Sequence, residues 1–221
     1  MPLTAMLFDL ERVPAPLRGL LETQHPWEIL ARLDAFGASL LDDRVGTVHS
    51  TAIVEGPLVV EEGAEVGPYA HLTGPVYLAA GARIEHAARV RGPVVLGPGA
   101  KVGHASEVKR SVFLGGAKAP HFNYVGDSVI GHDVNLGAGV KLANTKTLGS
   151  EIVVAGVATG LRKLGSMLGD GVSIGCNAVL SPGTVIGKRT VVYDGADVRG
   201  VIGADLVVKH RSALEEAPRR P

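Results

Sequence analysis

The chain of 221 residues carries 22 basic and 22 acidic side chains, so a neutral surface gives no general attraction for nucleic acid or for an acidic membrane. Hydrophobic residues make up 46% of the chain but aromatic residues only 4%, which predicts a narrow core of Val, Leu, Ile and Ala. The single cysteine excludes an intrachain disulfide, and no apolar run reaches membrane-spanning length. We expect a soluble, cytoplasmic protein.

The first element in chain order is a helical segment, residues 1–45. Pro26 suits the first turn of a helix, and apolar residues follow it with helical spacing at Ile29, Leu30, Leu33 and Phe36. We expect this segment to cap the open end of the region that follows, because an uncapped end would expose backbone edges.

Residues 46–212 follow a six-residue repeat. From Val48 to Leu114, every sixth residue is aliphatic over twelve consecutive positions, a coincidence of order one in ten million in a random sequence. The dipeptide Gly-Pro also recurs with a period of three such repeats, at Gly56-Pro57, Gly74-Pro75 and Gly92-Pro93. The short period nested within the longer one indicates three short strands per coil, each paired in parallel with the strand one coil later. The sequence therefore predicts an all-β, single-stranded parallel β-helix of about seven coils, with a frayed tail at 213–221.

The aliphatic phase is interrupted twice. It is lost after Leu114, resumes at Ile130, and is lost again between Leu142 and Leu168. We interpret these interruptions as excursions from the coil at residues 118–129 and 143–167. Loops that leave a rigid scaffold commonly carry function, so both are candidate sites.

Two cations, Arg91 and Lys109, are separated by one predicted coil and should stack on adjacent coils. Stacked cations about 5 Å apart repel unless an anion lies between them, and a phosphate group suits that position. The alternative is a solvated basic patch that Glu107 balances, and the spacing alone favours neither.

Histidines mark two further positions. His86 and His104 are also one predicted coil apart, which fits a pair of metal ligands or a polar ladder on the outer surface, and we favour the ladder. His121 lies in the first interruption. Histidine is suited to general base catalysis near neutral pH, although a loop histidine flanked by proline and aromatic residues is often structural. We predict no metal site.

Several strings between residues 85 and 200 carry a resemblance to a known family. They are Glu107-Val108-Lys109-Arg110-Ser111, Gly116-Ala117-Lys118, His121, Tyr124-Val125-Gly126-Asp127, Ile130-Gly131 and Asn135-Leu136-Gly137-Ala138-Gly139. The repeat resembles that of the hexapeptide-repeat acyltransferases, which form left-handed β-helices and usually trimerise. The strings are most similar to the acetyltransferase domain of the bifunctional enzyme that makes UDP-N-acetylglucosamine.

The resemblance implies roles for particular residues. His121 matches the catalytic base that takes a proton from the sugar amine, and Arg91 and Lys109 match cations that bind the substrate phosphate. Further substrate contacts are implied at Tyr124, Asn135 and Lys163, and acetyl-CoA contacts at Ala138, Asn144 and Cys176.

The sequence departs from that family in three ways. No Gly-rich nucleotide loop precedes the repeat, so we expect a short form without the nucleotidyltransferase domain. The interruption at 143–167 is longer than in the family, and the C-terminal arm is short. The tract Gly160-Leu161-Arg162-Lys163-Leu164-Gly165 followed by Leu168-Gly169-Asp170, together with Val198-Arg199-Gly200, resembles a short-form group described as sugar-phosphate nucleotidyltransferase-like.

We therefore expect a homotrimeric, acetyl-CoA-dependent N-acetyltransferase of nucleotide-sugar biosynthesis, acting on an amino-sugar phosphate such as glucosamine-1-phosphate. Nucleic acid and membranes are not expected partners. The alternative is a non-catalytic subunit that binds a sugar phosphate or regulates a nucleotidyltransferase. A purely structural trimer would leave the Arg91–Lys109 stack without an explanation.

Overall fold

The computed structural model describes residues 3–209, and the predicted frayed tail lies outside them. Within this range the helices are α1 Thr4–Leu7, α2 Ala15–Leu21 and α3 Ile29–Ser39, with 3-10 turns at Leu10–Arg12 and Pro26–Glu28. None of these helices has the length and apolarity needed to cross a membrane.

Short strands make up the rest of the described chain. In chain order they are β1 Asp43–Arg44, β2 Thr47–Val48, β3 Ile53–Glu55, β4 Leu58–Val60, β5 Glu65–Val66, β6 His71–Thr73, β7 Val76–Leu78, β8 Arg83–Ile84, β9 Arg89–Leu96, β10 Lys101–His104, β11 Glu107–Phe113, β12 Lys118–His121, β13 Tyr124–Gly126, β14 Val129–Ile130, β15 Asn135–Leu136, β16 Lys141–Leu142, β17 Val153–Val154, β18 Val157–Ala158, β19 Ser166–Leu168, β20 Ser173–Ile174, β21 Val179–Leu180, β22 Thr184–Ile186, β23 Val191–Val192, β24 Asp197–Val198, β25 Val201–Ile202 and β26 Val207–Val208.

The strands stack into a parallel β-solenoid, which confirms the predicted fold class. One face is a nine-stranded sheet in the order β2-β5-β8-β10-β12-β15-β20-β23-β26, with one strand from each coil. Residues 3–209 thus form nine coils, and the predicted count of about seven is too low. The pairing register is the same for either hand, so the left hand remains an expectation from the resemblance.

The interior of the solenoid is a column of aliphatic side chains and alanines from Leu58 to Val198. Phe113 is the one aromatic residue in this column within the described chain. A prism with three sides and two inward residues per side has no room for more rings, which explains the low aromatic content.

The first predicted excursion, 118–129, is not an excursion. Strands β12, β13 and β14 pair in register with β10 and β11, but the coil is one residue shorter than those before it, as the pairs Val102–Ala119 and Val108–Val125 show. The missing residue lies earlier in the chain, where the β9–β11 register shifts between Lys109 and Ser111. Phe113 consequently fills the interior position assigned to Leu114, and Leu114 packs on the outer flank instead.

The second excursion exists, between β16 and β19. Strand β15 pairs with β20, as in Asn135–Ser173, and the stretch of chain between these partners is about twice as long as one coil, so the chain leaves the coil and returns to it. Residues 143–165 carry an antiparallel hairpin, β17 paired with β18. Ser166 and Met167 already belong to β19, so the excursion ends slightly earlier than the predicted boundary at 167.

The N-terminal segment is helical but does not cap the end of the solenoid. Its apolar residues, among them Leu30 and Leu33, are buried against the outer flank with Val95 and Val112. The inward residues of the first coil, such as Val48, therefore stay only partly buried. The helices cover the flank because the outward side chains there are apolar.

Candidate functional site

One face of the solenoid lies between two corners that carry most of the candidate residues. Strands β13, β16, β21 and β24 form the face. The chain enters β13 from His121 and leaves it at Asp127. At about 3.3 Å per residue in a strand, these two residues are at most about 20 Å apart. Long side chains from both corners can therefore reach a ligand that lies on the face between them.

The first corner aligns His121, Ala138 and Cys176 in consecutive coils. Gly139 N donates to His121 O at 2.9 Å, and Asn177 N donates to Ala138 O at 2.9 Å. The backbone thus stacks the implied base and two implied acetyl-CoA contacts in one column. His121 and Cys176 are exposed, as a residue that meets a ligand must be.

A buried amide, Asn123, fixes this corner. Its Oδ1 accepts a hydrogen bond from His121 N at 3.0 Å, and its Nδ2 donates to Gly137 O at 2.7 Å. Only 2% of Asn123 is exposed, so its polar atoms depend on these partners. Asn123 was not predicted from the sequence, and a polar residue at a corner beside an aliphatic repeat was the available signal.

The same column continues to His104 and His86. The rings of His86 and His104 stack with centroids 4.9 Å apart, and their Nδ1 atoms lie 2.9 Å apart. The Cα atoms of His104 and His121 are paired in register. The three histidines therefore form a ladder on the outer surface. Within residues 3–209, no group of three or more His, Cys, Asp or Glu side chains is placed to hold a metal ion.

The second corner stacks Arg91 and Lys109, which are paired in register. Each cation already has a carboxylate partner: Arg91 forms an ion pair with Glu107 at 2.5 Å, and Lys109 with Asp127 at 3.1 Å. The alternative of a basic patch balanced by Glu107 therefore describes the corner in this structure. The Arg91 Nε is buried and has no partner among the described residues, but the side chain as a whole is 39% exposed, so its outer N–H groups can reach a ligand.

Asp127 connects the polar side chains of this corner. Its carboxylate is 2% exposed and accepts hydrogen bonds from Lys109 Nζ, Arg110 and the Asn144 amide. Arg110 also pairs with Asp34 of α3 at 2.5 Å, which links the corner to the helical segment. Asp127 had no predicted role, because the sequence pattern does not show which side chains a carboxylate contacts in adjacent coils.

Tyr124 is half-buried between the two corners. Its hydroxyl donates to Asn144 Oδ1 at 3.4 Å. Burial, and next the nearby Glu107 carboxylate, raises the pKa of Tyr124. The phenol therefore stays protonated at neutral pH and remains a hydrogen-bond donor.

The remaining two candidates lie differently. Lys163 is an exposed residue of the excursion, and it is held near the second corner because Leu164 N donates to Asn144 O at 2.9 Å. Asn135 is exposed at the start of β15, on the neighbouring face, where it pairs with Lys118 and Ser173. Within one chain, the structure brings the other substrate candidates together at the second corner and leaves Asn135 apart from them.

Gly126 is required for the arrangement of the second corner. A Cβ atom at this position would lie 2.6 Å from Asn144 Nδ2 and 2.9 Å from the Tyr124 hydroxyl. We expect Gly126→Ala to displace both side chains and to destabilise the fold by about 1–3 kcal/mol. Urea unfolding followed by circular dichroism measures the change. Gly19→Ala is the control, because a Cβ there meets nothing within 4 Å. Equal stabilities for the two variants would contradict the prediction.

Comparison with known proteins gives one matching family model and several sequence relatives. A sequence-family model described as the GMPPB C-terminal domain matches residues 72–159. The bifunctional sugar-1-phosphate nucleotidylyltransferase/acetyltransferase of Sulfurisphaera tokodaii is 36% identical over 183 residues, covering 80% of this chain and 46% of that protein. The bifunctional protein GlmU of Methanococcus maripaludis is 33% identical over 171 residues, covering 76% of this chain and 42% of that protein.

Among solved structures, the acetyltransferase domain of PglB from Neisseria gonorrhoeae covers 79% of this chain and 57% of that domain. It is 16% identical with a TM-score of 0.36, a level of similarity that supports no assignment. Over about four fifths of its length, this chain is similar in sequence to a bifunctional sugar-1-phosphate nucleotidylyltransferase/acetyltransferase, and it spans less than half of the length of the curated relatives it matches.

Proposed function

We propose that this chain is an acetyl-CoA-dependent N-acetyltransferase that acts on an amino-sugar phosphate. The observation that carries the proposal is that polar candidate residues lie at both edges of one face. An exposed histidine column lies at the first corner, and the second corner carries Arg91, Lys109, Tyr124 and Asn144. The printed names of the sequence relatives, which pair a sugar-1-phosphate with an acetyltransferase, support it. The expected homotrimer and cytoplasmic location are part of the same proposal.

The substrate phosphate binds at the second corner. Arg91 donates from the outer N–H groups of its guanidinium, and the phosphate replaces part of the Arg91–Glu107 pair. Lys109 contributes its charge, and Lys163 approaches from the excursion. A guanidinium suits phosphate because it offers several N–H donors in one plane. The sugar ring then lies over Tyr124, with its amine toward the first corner.

Acetyl transfer takes place at the first corner. His121 removes a proton from the amine as the nitrogen attacks the thioester carbonyl. The C–S bond then breaks, and the leaving thiolate of coenzyme A takes up this proton from His121. The acyl donor lies along the column of Ala138 and Cys176. Gly137 N is not an oxyanion donor, because it donates to Ile174 O at 2.7 Å. Ala138 N has no acceptor among residues 3–209 and is the available donor.

Release of free thiol from acetyl-CoA tests the proposal directly. We expect thiol release in the presence of glucosamine-1-phosphate or an epimer, because these carry both a phosphate and a primary amine. Release should stop when the N-acetylated sugar phosphate replaces the amine, since no nucleophile remains. The absence of amine-dependent thiol release across the epimers would contradict the proposal.

The excursion at 143–165 favours a second candidate. It lies beside the second corner and is longer than in the family, so the chain is alternatively a non-catalytic subunit that binds a sugar phosphate. Calorimetry separates the two functions. Binding of the sugar phosphate without binding of acetyl-CoA supports the non-catalytic subunit, and binding of both supports the transferase.

A further inference from the structure

A cavity of about 510 Å³ lies between the excursion and the coils that follow it. Cavities of roughly 300–1,000 Å³ commonly hold small molecules. Its polar lining includes Thr145, Lys146 and Thr147 from the excursion, and Ser181 and Arg199 from two successive coils. Of these five residues, Arg199 alone lies in a resemblance string, Val198-Arg199-Gly200, and that resemblance implies no role for it.

The two cations of this cavity lack carboxylate partners. Within residues 3–209, neither Lys146 nor Arg199 forms an ion pair. Lys146 Nζ donates to a neutral acceptor, Glu151 O, at 2.6 Å, and the Glu151 carboxylate accepts from Gly160 N. The corner with Arg91 and Lys109 is different, because carboxylates of the same chain neutralise both of its cations.

The cavity is distinct from the Arg91–Lys109 corner. Leu142, Leu180 and Val198 are paired in register in successive coils. Ser181 directly follows Leu180, and Arg199 directly follows Val198. Both residues therefore lie at the second corner, which Lys109 occupies in an earlier coil. Arg199 is four coils from Lys109, which at about 4.8 Å per coil is roughly 19 Å. One phosphate group cannot contact both cations.

We propose that this cavity is a second anion site, which binds the phosphate groups of a nucleotide-sized small molecule. Lys146 and Arg199 supply the charge, and the hydroxyl groups of Ser181 and the two threonines supply further donors. Hydrogen bonds from charged donors to phosphate are among the stronger ones in proteins. The phosphates belong to a free nucleotide ligand or to the nucleotide end of coenzyme A, which share this chemistry.

Calorimetric titration with pyrophosphate, ADP and coenzyme A tests the site. Arg199→Gln and Lys146→Gln should each weaken pyrophosphate binding by about tenfold, the effect of removing one charged donor. Arg83→Gln is the control, since Arg83 is an exposed cation on another face that pairs with Glu65 at 3.7 Å. Arg91→Gln should also leave pyrophosphate affinity unchanged in this cavity, even where it abolishes binding of the sugar phosphate.

Each outcome decides the proposal. Weaker pyrophosphate binding that is confined to Arg199→Gln and Lys146→Gln supports the proposal. If these variants also lose coenzyme A binding, the phosphates belong to the acyl donor. If they lose ADP binding but keep coenzyme A binding, the phosphates belong to a separate nucleotide ligand. Equal affinities in all variants, or no pyrophosphate binding by the parent protein, would overturn it. Arg91→Gln separates this result from a failure of the proposed acetyl transfer, because it removes a substrate-phosphate contact and leaves Lys146 and Arg199 in place.

Discussion

Replacing His121 with alanine should lower the rate of acetyl transfer by about 10²–10⁴-fold, the usual contribution of a positioned general base. The amine nitrogen becomes positively charged as it attacks the thioester, so the reaction needs a group that accepts its proton. His121 is exposed and lies at the edge of the face that carries Tyr124. Thiol release at saturating sugar phosphate measures the effect, because a base acts on the chemical step.

The fold should not change in this variant. An exposed side chain contributes little to packing, so the free energy of unfolding should stay within about 0.5 kcal/mol of the parent value. His86→Ala is the matched control, as it removes another histidine of the same ladder from two coils away. Full activity in His121→Ala would rule out the base. Equal losses in both variants would show that the ladder acts as a unit.

The repeat could be predicted from the sequence because inward positions of the coil accept only aliphatic or small residues. The phase of the repeat could not be followed past Arg110. In the previous coil this corner is formed by two residues, Gly92-Pro93, whereas here Arg110 alone forms it. A corner is outside the core, so the loss of one residue there leaves no hydrophobic signal. The pattern alone therefore indicates a break at 118–129, although the coil continues.

The candidate site was predictable as a set of residues but not as a set of interactions. The spacing of Arg91 and Lys109 predicted the stack that the register shows. The roles of Asp127 and Asn123 were missed. Their partners are 17 and 14 residues away in sequence, and only the folded coil shows which polar atoms meet.

The placement of the helical segment was wrong for a related reason. The repeat identifies inward residues, and it says little about outward ones. Outward apolar residues such as Val95 and Val112 look like minor variation along the repeat, yet together they make the flank on which Leu30 and Leu33 pack. Burial of this apolar area stabilises the flank contact, and an end cap would leave it exposed.

Asp127→Ala should produce the largest loss of stability, about 3 kcal/mol, because it leaves Lys109 and Arg110 without their buried counter-charge. Asp127 also has φ +46°, a left-handed conformation that alanine adopts at a cost of about 1 kcal/mol. Asp205→Ala controls for this cost, since Asp205 has φ +59° but forms an exposed pair with Arg189. We expect that control to lose roughly 1–2 kcal/mol in urea unfolding.

A second variant connects this charge to function. Asp127→Asn keeps the size of the side chain and its tolerance of the left-handed conformation, so it should fold, but it no longer neutralises Lys109. Its amide oxygen still accepts a hydrogen bond from the Asn144 amide, so the contact that holds the Tyr124 hydroxyl is kept. Because the corner becomes more positive by one charge, we expect sugar-phosphate affinity to rise by up to about tenfold while acetyl-CoA affinity is unchanged, as the donor lies at the other corner. Unchanged sugar-phosphate affinity in a folded Asp127→Asn protein would show that Lys109 does not bind the substrate phosphate.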